Sequence, residues 1–157
     1  YCDQVACAVG RLSNNIFGVE PAIGKKLAKS LGEALQLTNI LRDIHEDGDR
    51  NRVYIPRDIL SNYGNDGTLI NEILEHPGFT NACNDLAKLN IERFTQAEAI
   101  IKKCDTKLVR PAMIMMKIYH QLFILLERRG WGRYKIPVKV SKIYKLWIFA
   151  RVLILKK

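Results

Sequence analysis

The residues best placed to do chemistry lie in one segment, Glu33-Ala-Leu-Gln-Leu-Thr-Asn-Ile-Leu-Arg-Asp-Ile-His-Glu-Asp47. At about 100° per residue, Gln36, Asn39, Asp43 and Asp47 fall within roughly 80° of arc on a helix, two amides followed by two carboxylates. The apolar face centres near Leu37, Leu41 and Ile44, so this stripe runs along the border of the buried face, away from the fully solvated side. Carboxylates in that position lose hydration and, one turn apart, repel each other. A divalent cation relieves both penalties. Asp43 and Asp47 can each give oxygen ligands to Mg²⁺, which keeps several waters and takes one or two protein carboxylates together with substrate phosphates; Asn39 adds a neutral oxygen on the same row. The plainer alternative, a solvated acidic helix end, stays open on periodicity alone. A rival metal pattern, Asp47-Gly-Asp49-Arg-Asn51 with Asp58 at the twelfth position, begins like a calcium loop. It carries Arg52 where the turn needs Gly and is interrupted by Pro56.

Arg50, Arg52 and Tyr54 follow directly. Guanidinium groups pair bidentately with phosphate oxygens, and a connector leaving the acidic helix can fold them toward the same cavity. Acids, cation and arginines together describe a diphosphate site; a charged loop in solvent is the alternative for any single Arg.

The elements that must position these residues are helical. Apolar residues recur at intervals of three and four along the chain, and no strand-like run of alternating Val, Ile and Thr stands out. Residues 1–17 place Val5, Ala8, Val9, Leu12 and Ile16 on one side and end at Gly18. Pro21 suits the first turn of a long helix running to about Asp47, with Gly48 as its stop. After a polar connector, short helices are expected at 57–62 and 68–75, separated by Gly64-Asn-Asp-Gly67. Two long helices follow at about 79–103 and 110–129, split near Asp105 and Pro111 and closed by Gly130. A basic helix spans about 141–156. Neither a repeat nor a long linker divides residues 1–157, which read as one domain.

Composition agrees. With 157 residues, 48% hydrophobic and 26% charged, the chain reads as an ordinary globular domain, which excludes disordered and fibrous classes. At this length folding buries about two-thirds of the unfolded chain's surface, so no disulfide framework is needed. Cys2, Cys7, Cys83 and Cys104 form no C-x-x-C pair and read as reduced core thiols of a cytosolic protein. The net charge of +9 is local: residues 1–127 hold 15 Lys and Arg against 16 Asp and Glu, whereas residues 128–157 hold 10 and none. The final segment from Lys145 has nine apolar residues broken by Arg151, far short of the ~20 that span a bilayer. Its apolar and basic character permits packing or peripheral contact with an anionic membrane surface. No stacking platform accompanies the charges, so a nucleic-acid module is not expected. The start at Tyr1, without Met and inside an apolar periodic stretch, reads as a fragment, and no signal peptide is visible.

Several motifs together carry a family likeness. Tyr1-Cys-x-x-Val-Ala-x-Ala-Val-Gly-Arg-Leu-Ser13, Ile16-Phe-Gly18, and Ala34-Leu-Gln-Leu-Thr-Asn-Ile-Leu-Arg-Asp-Ile-x-Glu-Asp47 come first. Arg50, Arg52, Tyr54, Pro56, Tyr119, Leu126-Glu-Arg-Arg-Gly-Trp131 and Val138-Lys-Val-Ser-Lys142 complete the set. This pattern resembles the squalene/phytoene synthase family over nearly the whole chain, and most of all its bacterial presqualene diphosphate synthases of squalene and hopanoid pathways.

The resemblance implies an all-α, isoprenoid-synthase-type helical bundle around a central cavity, with the N-terminal helices of that bundle outside this chain. It implies a Mg²⁺-dependent prenyltransferase joining two farnesyl diphosphates head to head, with phytoene synthase acting on geranylgeranyl diphosphate as the close alternative. In those terms Asp43 and Asp47, with Asn39, hold Mg²⁺; Gln36, Arg42, Arg50, Arg52 and Tyr54 stand near the diphosphates; and Tyr1 steers the carbocation or accepts its proton. The family's first aspartate-rich motif has no counterpart here. That absence raises a second possibility, an inactive half or one needing a partner chain with the missing motif. Pro137 replaces an Arg common in the family, with Lys135 and Lys139 beside it. A cytoplasmic location, peripheral to the inner membrane, goes with lipid substrates.

Overall fold

The computed structural model describes residues 1–154, and within them the secondary structure is helical, as expected. A π-helical turn, Asp3–Cys7, runs into α1 (Ala8–Ile16), followed by α2 (Pro21–Arg42), α3 (Ile44–Asp49), α4 (Arg57–Ser61), α5 (Ile70–Glu75), α6 (Phe79–Ile101), α7 (Thr106–Arg129) and α8 (Lys142–Ile154). Residues 155–156 of the expected last helix lie outside the described residues.

The fold is built on α2. Glu20 caps it, its carboxylate accepting from the amides of Ala22 and Ile23 at 2.9 Å each, and Pro21 occupies the first turn where its missing N–H costs nothing. Leu27, Leu31, Ala34, Leu37 and Leu41 are buried along α2, against Leu86, Ala87, Phe94 and Ala97 of α6. One polar pin crosses that interface: the Asn90 amide donates to Thr38 Oγ1 at 2.9 Å, and Thr38 donates to the Ala34 carbonyl at 2.8 Å. On its other side α2 receives the first helix at close range. A methyl group on Gly32 would stand 2.9 Å from the Cys7 backbone, and one on Gly10 would stand 3.2 Å from Ala28. Small residues at both positions let the two helix backbones approach.

Several boundaries differ from the expected ones. The long helix stops at Arg42, and the chain leaves helical geometry at Asp43 (φ −96°, ψ 12°) before α3 resumes and carries Gly48 within it. Asp forms helix poorly because its side chain competes for nearby groups, and here the Asp43 carboxylate is held by Arg42. The penultimate long helix starts at Thr106, because Asp105 caps it by accepting from the Lys107 amide at 2.8 Å. Pro111 is carried inside it at the loss of one backbone hydrogen bond. The apolar stripe of the first helix does not face a core: Val5, Val9, Leu12 and Ile16 are exposed. Of the four cysteines Cys7 and Cys83 are buried, while Cys2 and Cys104 are only half-buried, so two of the four are not core thiols. Gly130 closes α7 at φ 83°, as its position suggested.

The loop after α7 is held by a buried cation. Arg129 donates to the carbonyls of Tyr134 and Ile136 at 3.4 and 3.1 Å, which fixes the path of residues 130–136. Burial pulls its guanidinium below the ordinary range for arginine.

Candidate active site

The C-terminal end of α2 carries the site. Gln36, Asn39, Asp43 and Asp47 are all half-buried, the border position that their spacing implied. Gln36 Nε2 donates to Tyr1 Oη at 3.5 Å, and Asn39 Nδ2 donates to Gln36 Oε1 at 3.4 Å. Tyr1 stacks on Tyr54, with ring centroids 4.8 Å apart and planes 20° from parallel. The close approach of the π-helical turn to Gly32 thus brings residues 1, 36 and 54 together from three parts of the chain. Tyr1 is 57% exposed, yet partial burial of its hydroxyl, the neighbouring Tyr54 hydroxyl and the charge of Asp47 push its phenol above the ordinary value.

The two carboxylates differ. Asp43 is gripped by its neighbour: Arg42 Nε and Nη2 donate to its two oxygens at 2.6 Å each, a fork that holds Arg42 firmly protonated. Asp47 has no such fork; burial and the nearby Asp43 charge push its carboxyl above the usual range, against smaller opposing effects from Arg50 and Arg52. These are the conditions that a cation relieves. Asn39 Oδ1 is also buried with no hydrogen-bond partner. An oxygen without a donor, about one turn before Asp43 and two before Asp47 along the chain, has the chemistry of a ligand for a hard divalent ion, so the residue types Asn39, Asp43 and Asp47 fit Mg²⁺. Among the described residues no group of three or more His, Cys, Asp and Glu gathers at one point, so this chain alone supplies a partial ligand set.

The two connector arginines part company. Asn51 adopts φ 57°, a left-handed turn that Asn tolerates, and the Arg52 amide returns to donate to the Asp47 carbonyl at 2.9 Å. Arg52 therefore stays beside Asp47. Arg50 turns to solvent and pairs with Glu46 at 2.7 Å, the i,i+4 geometry of a surface ion pair, and does not reach inward as expected. His45 is exposed, and it lines the same groove as Asp43.

Two hollows meet at this point. An apolar cavity of about 350 Å³ lies between α1, α2 and α7, walled by residues such as Leu31, Leu35, Val9, Phe17 and Met115, with Gln36, Asn39 and Tyr119 at its polar end. A charged groove of about 700 Å³ runs past Arg42 and Asp43 to Lys135, Lys139, Lys142 and Lys145. Tyr119 lines both. Neither Tyr119 nor the groove lysines belong to the set of site residues read from spacing; a tyrosine on α7 becomes a site residue only through the α2–α7 packing.

An apolar cavity thus opens beside a cluster of acids, amides and cations. The squalene/phytoene synthase family model matches residues 1–144. The chain belongs to the squalene/phytoene synthase family. It is 39% identical over 151 residues to a presqualene diphosphate synthase of Sinorhizobium fredii, covering 96% of this chain and 54% of that protein. Against a presqualene diphosphate synthase of Rhodopseudomonas palustris it is 38% identical, covering 94% and 53%. A chloroplastic phytoene synthase of an Oncidium hybrid is 33% identical, covering 93% and 37%. A solved dehydrosqualene synthase in complex with ligand superposes with a TM-score of 0.76 at 25% identity, covering 98% of this chain and 54% of that one. The chain thus spans about half the length of the presqualene diphosphate synthases it matches, and the family's all-α fold extends over the part present.

Proposed function

We propose that this chain forms the second half of a head-to-head prenyltransferase that condenses two farnesyl diphosphates to presqualene diphosphate, on the way to squalene and hopanoids. The meeting of the apolar cavity and the charged groove at Tyr119, beside Arg42 and Asp43, is the observation that carries this reading. It matches a ligand with a long apolar tail and an anionic head. The first aspartate-rich motif is assigned to the remainder of the polypeptide or to a partner chain, since the ligand set here is partial. A cytoplasmic location, next to a membrane that holds lipid substrates, goes with this reading.

In the mechanism, the apolar wall of α1, α2 and α7 aligns the prenyl chains and keeps water from the reacting carbons. Arg42 and the groove lysines bind diphosphate oxygens and favour departure of diphosphate from C1 of one farnesyl group. Mg²⁺, held by Asp43, Asp47 and Asn39, would supply further positive charge to that leaving group. The 2,3-alkene of the second molecule attacks the freed carbon, and closure of the cyclopropane releases one proton. Tyr1, a neutral phenol, offers a π-face to the cation and an oxygen to the proton, and Tyr54 and Gln36 hold it in place.

Full-length protein incubated with farnesyl diphosphate and Mg²⁺ is expected to yield presqualene diphosphate by mass spectrometry. Asp43→Ala and Asp47→Ala are each expected to lower turnover about a hundredfold or more, with an unchanged circular dichroism spectrum. No C30 product, or full activity in either variant, would falsify the assignment. The likeness to phytoene synthases favours a second reading, use of geranylgeranyl diphosphate, and the same assay with the longer substrate separates the two.

A further inference from the structure

Among the described residues Arg129 is the one charged side chain that is buried, with 8% of its surface exposed. No carboxylate of those residues pairs with it, and its Nη2 has no hydrogen-bond partner. A cation taken out of water without an opposite charge is costly, and where packing alone is needed an apolar side chain of similar size serves as well. The guanidinium instead holds backbone. Nη1 donates to the carbonyls of Tyr134 and Ile136, at 3.4 and 3.1 Å, and Nε to that of Gly130 at 3.3 Å. Lys135 stands between the two carbonyls that share Nη1, and it lines the charged groove together with Pro137 and Lys139. Ahead of Lys135 the loop is also anchored by rings, Trp131 against Phe123 and Tyr134 against Phe79. Just beyond it, the Ile136 side chain is 53% exposed, so its carbonyl is what ties that point of the loop to α7.

We infer that Arg129 is a positioning residue for anion binding: by clamping the backbone on both sides of Lys135, it sets where that ammonium meets a diphosphate in the groove. The inference rests on the reading of the groove given above. Lys carries a point charge on a long flexible stem, so its reach depends on where its backbone is held. In a loop free to move, the ammonium would spread over many positions, and the entropy of ordering it would count against binding. Arg suits the clamp because its donors leave a rigid plane in fixed directions, so that one side chain meets several carbonyls at once and never loses its charge. Arg129 is not among the residues that line the groove. It therefore acts through Lys135 and does not touch the anion.

The test is a double-mutant cycle on the full-length protein, read by calorimetric titration with inorganic diphosphate in the presence of Mg²⁺. Arg129→Met and Lys135→Met are each expected to weaken binding about tenfold. Together they should weaken it no more than either alone, because losing the clamp and losing the charge remove the same contact. The Ile136 amide, which donates to the Arg133 carbonyl at 2.9 Å, should exchange about tenfold faster in Arg129→Met, with the amides of α6 unchanged. Should Arg129→Met fail to fold, Arg129→Lys keeps the charge without the planar fork; it is expected to show a smaller loss that likewise vanishes when Lys135→Met is added. Losses that multiply to about a hundredfold, unchanged exchange at Ile136, or undiminished affinity in the Arg129 variants would each overturn the inference and leave the groove's assignment standing. No diphosphate binding by the unmodified protein would overturn both. Coupled losses in a protein that does not convert farnesyl diphosphate would support the inference and count against the reaction alone.

Discussion

Asp43 and Asp47 are the same residue type one turn apart, yet they are charged under different terms. Asp43 has both oxygens taken by Arg42, whereas Asp47 is pressed by burial and by Asp43 itself. A carboxyl whose folded-state pKa is raised works against folding once ionised, and that penalty fades as pH falls through the raised value. Asp47→Asn is therefore expected to leave the melting temperature equal or higher at neutral pH while abolishing Mg²⁺ binding. Calorimetric melts and Mg²⁺ titration check both halves, and a clear drop in melting temperature would contradict the charge argument. In the unmodified protein, protons compete with the ion at Asp47, so Mg²⁺ affinity should climb with pH through a range above that of a free aspartate and then level off. Isothermal titration across that range reads it directly.

At the scale of elements, Gly32 sets how near the first helix comes to α2. Gly32→Ala places a methyl 2.9 Å from the Cys7 backbone, which cannot swing aside as a side chain can. A cost of about 1–3 kcal/mol is expected from such overpacking, and the displaced helix should carry Tyr1 away from Gln36 and Tyr54. Denaturant melts and loss of turnover in the full-length protein would show it, with Gly32→Ser at least as severe; wild-type behaviour would mean the helices are free to shift. Most helices were legible in the sequence because 3.6-residue periodicity and Gly and Pro punctuation report local geometry. The half-buried stripe from Gln36 to Asp47 was legible for the same reason. The bend at Asp43 was not, because the helical spacing of apolar residues runs through that position without a break. Nor was the Tyr1–Tyr54 stack visible in spacing, since it joins residues 53 positions apart through tertiary packing; only the family likeness placed both near the site. Periodicity also located the apolar stripe of the first helix without telling what lies over it.

Over the whole molecule, the described residues form a thick core of α2, α6 and α7 with α1 resting chiefly on α2 and its outer stripe bare. Such a helix opens more readily than one enclosed on all sides. Hydrogen exchange on these 157 residues alone should show amides of α1 exchanging about tenfold or more faster than those of α2. Equal protection would mean that α1 needs no cover. The apolar cavity shares this fate, because Val9 and Phe17 of the same segment form one of its walls. The phenol at position 1 is moored to the bundle by that same helix. Under the proposed mechanism, any body that settles on the outer stripe therefore also tunes the aim of the phenol, which would join assembly of the bundle to readiness for proton transfer.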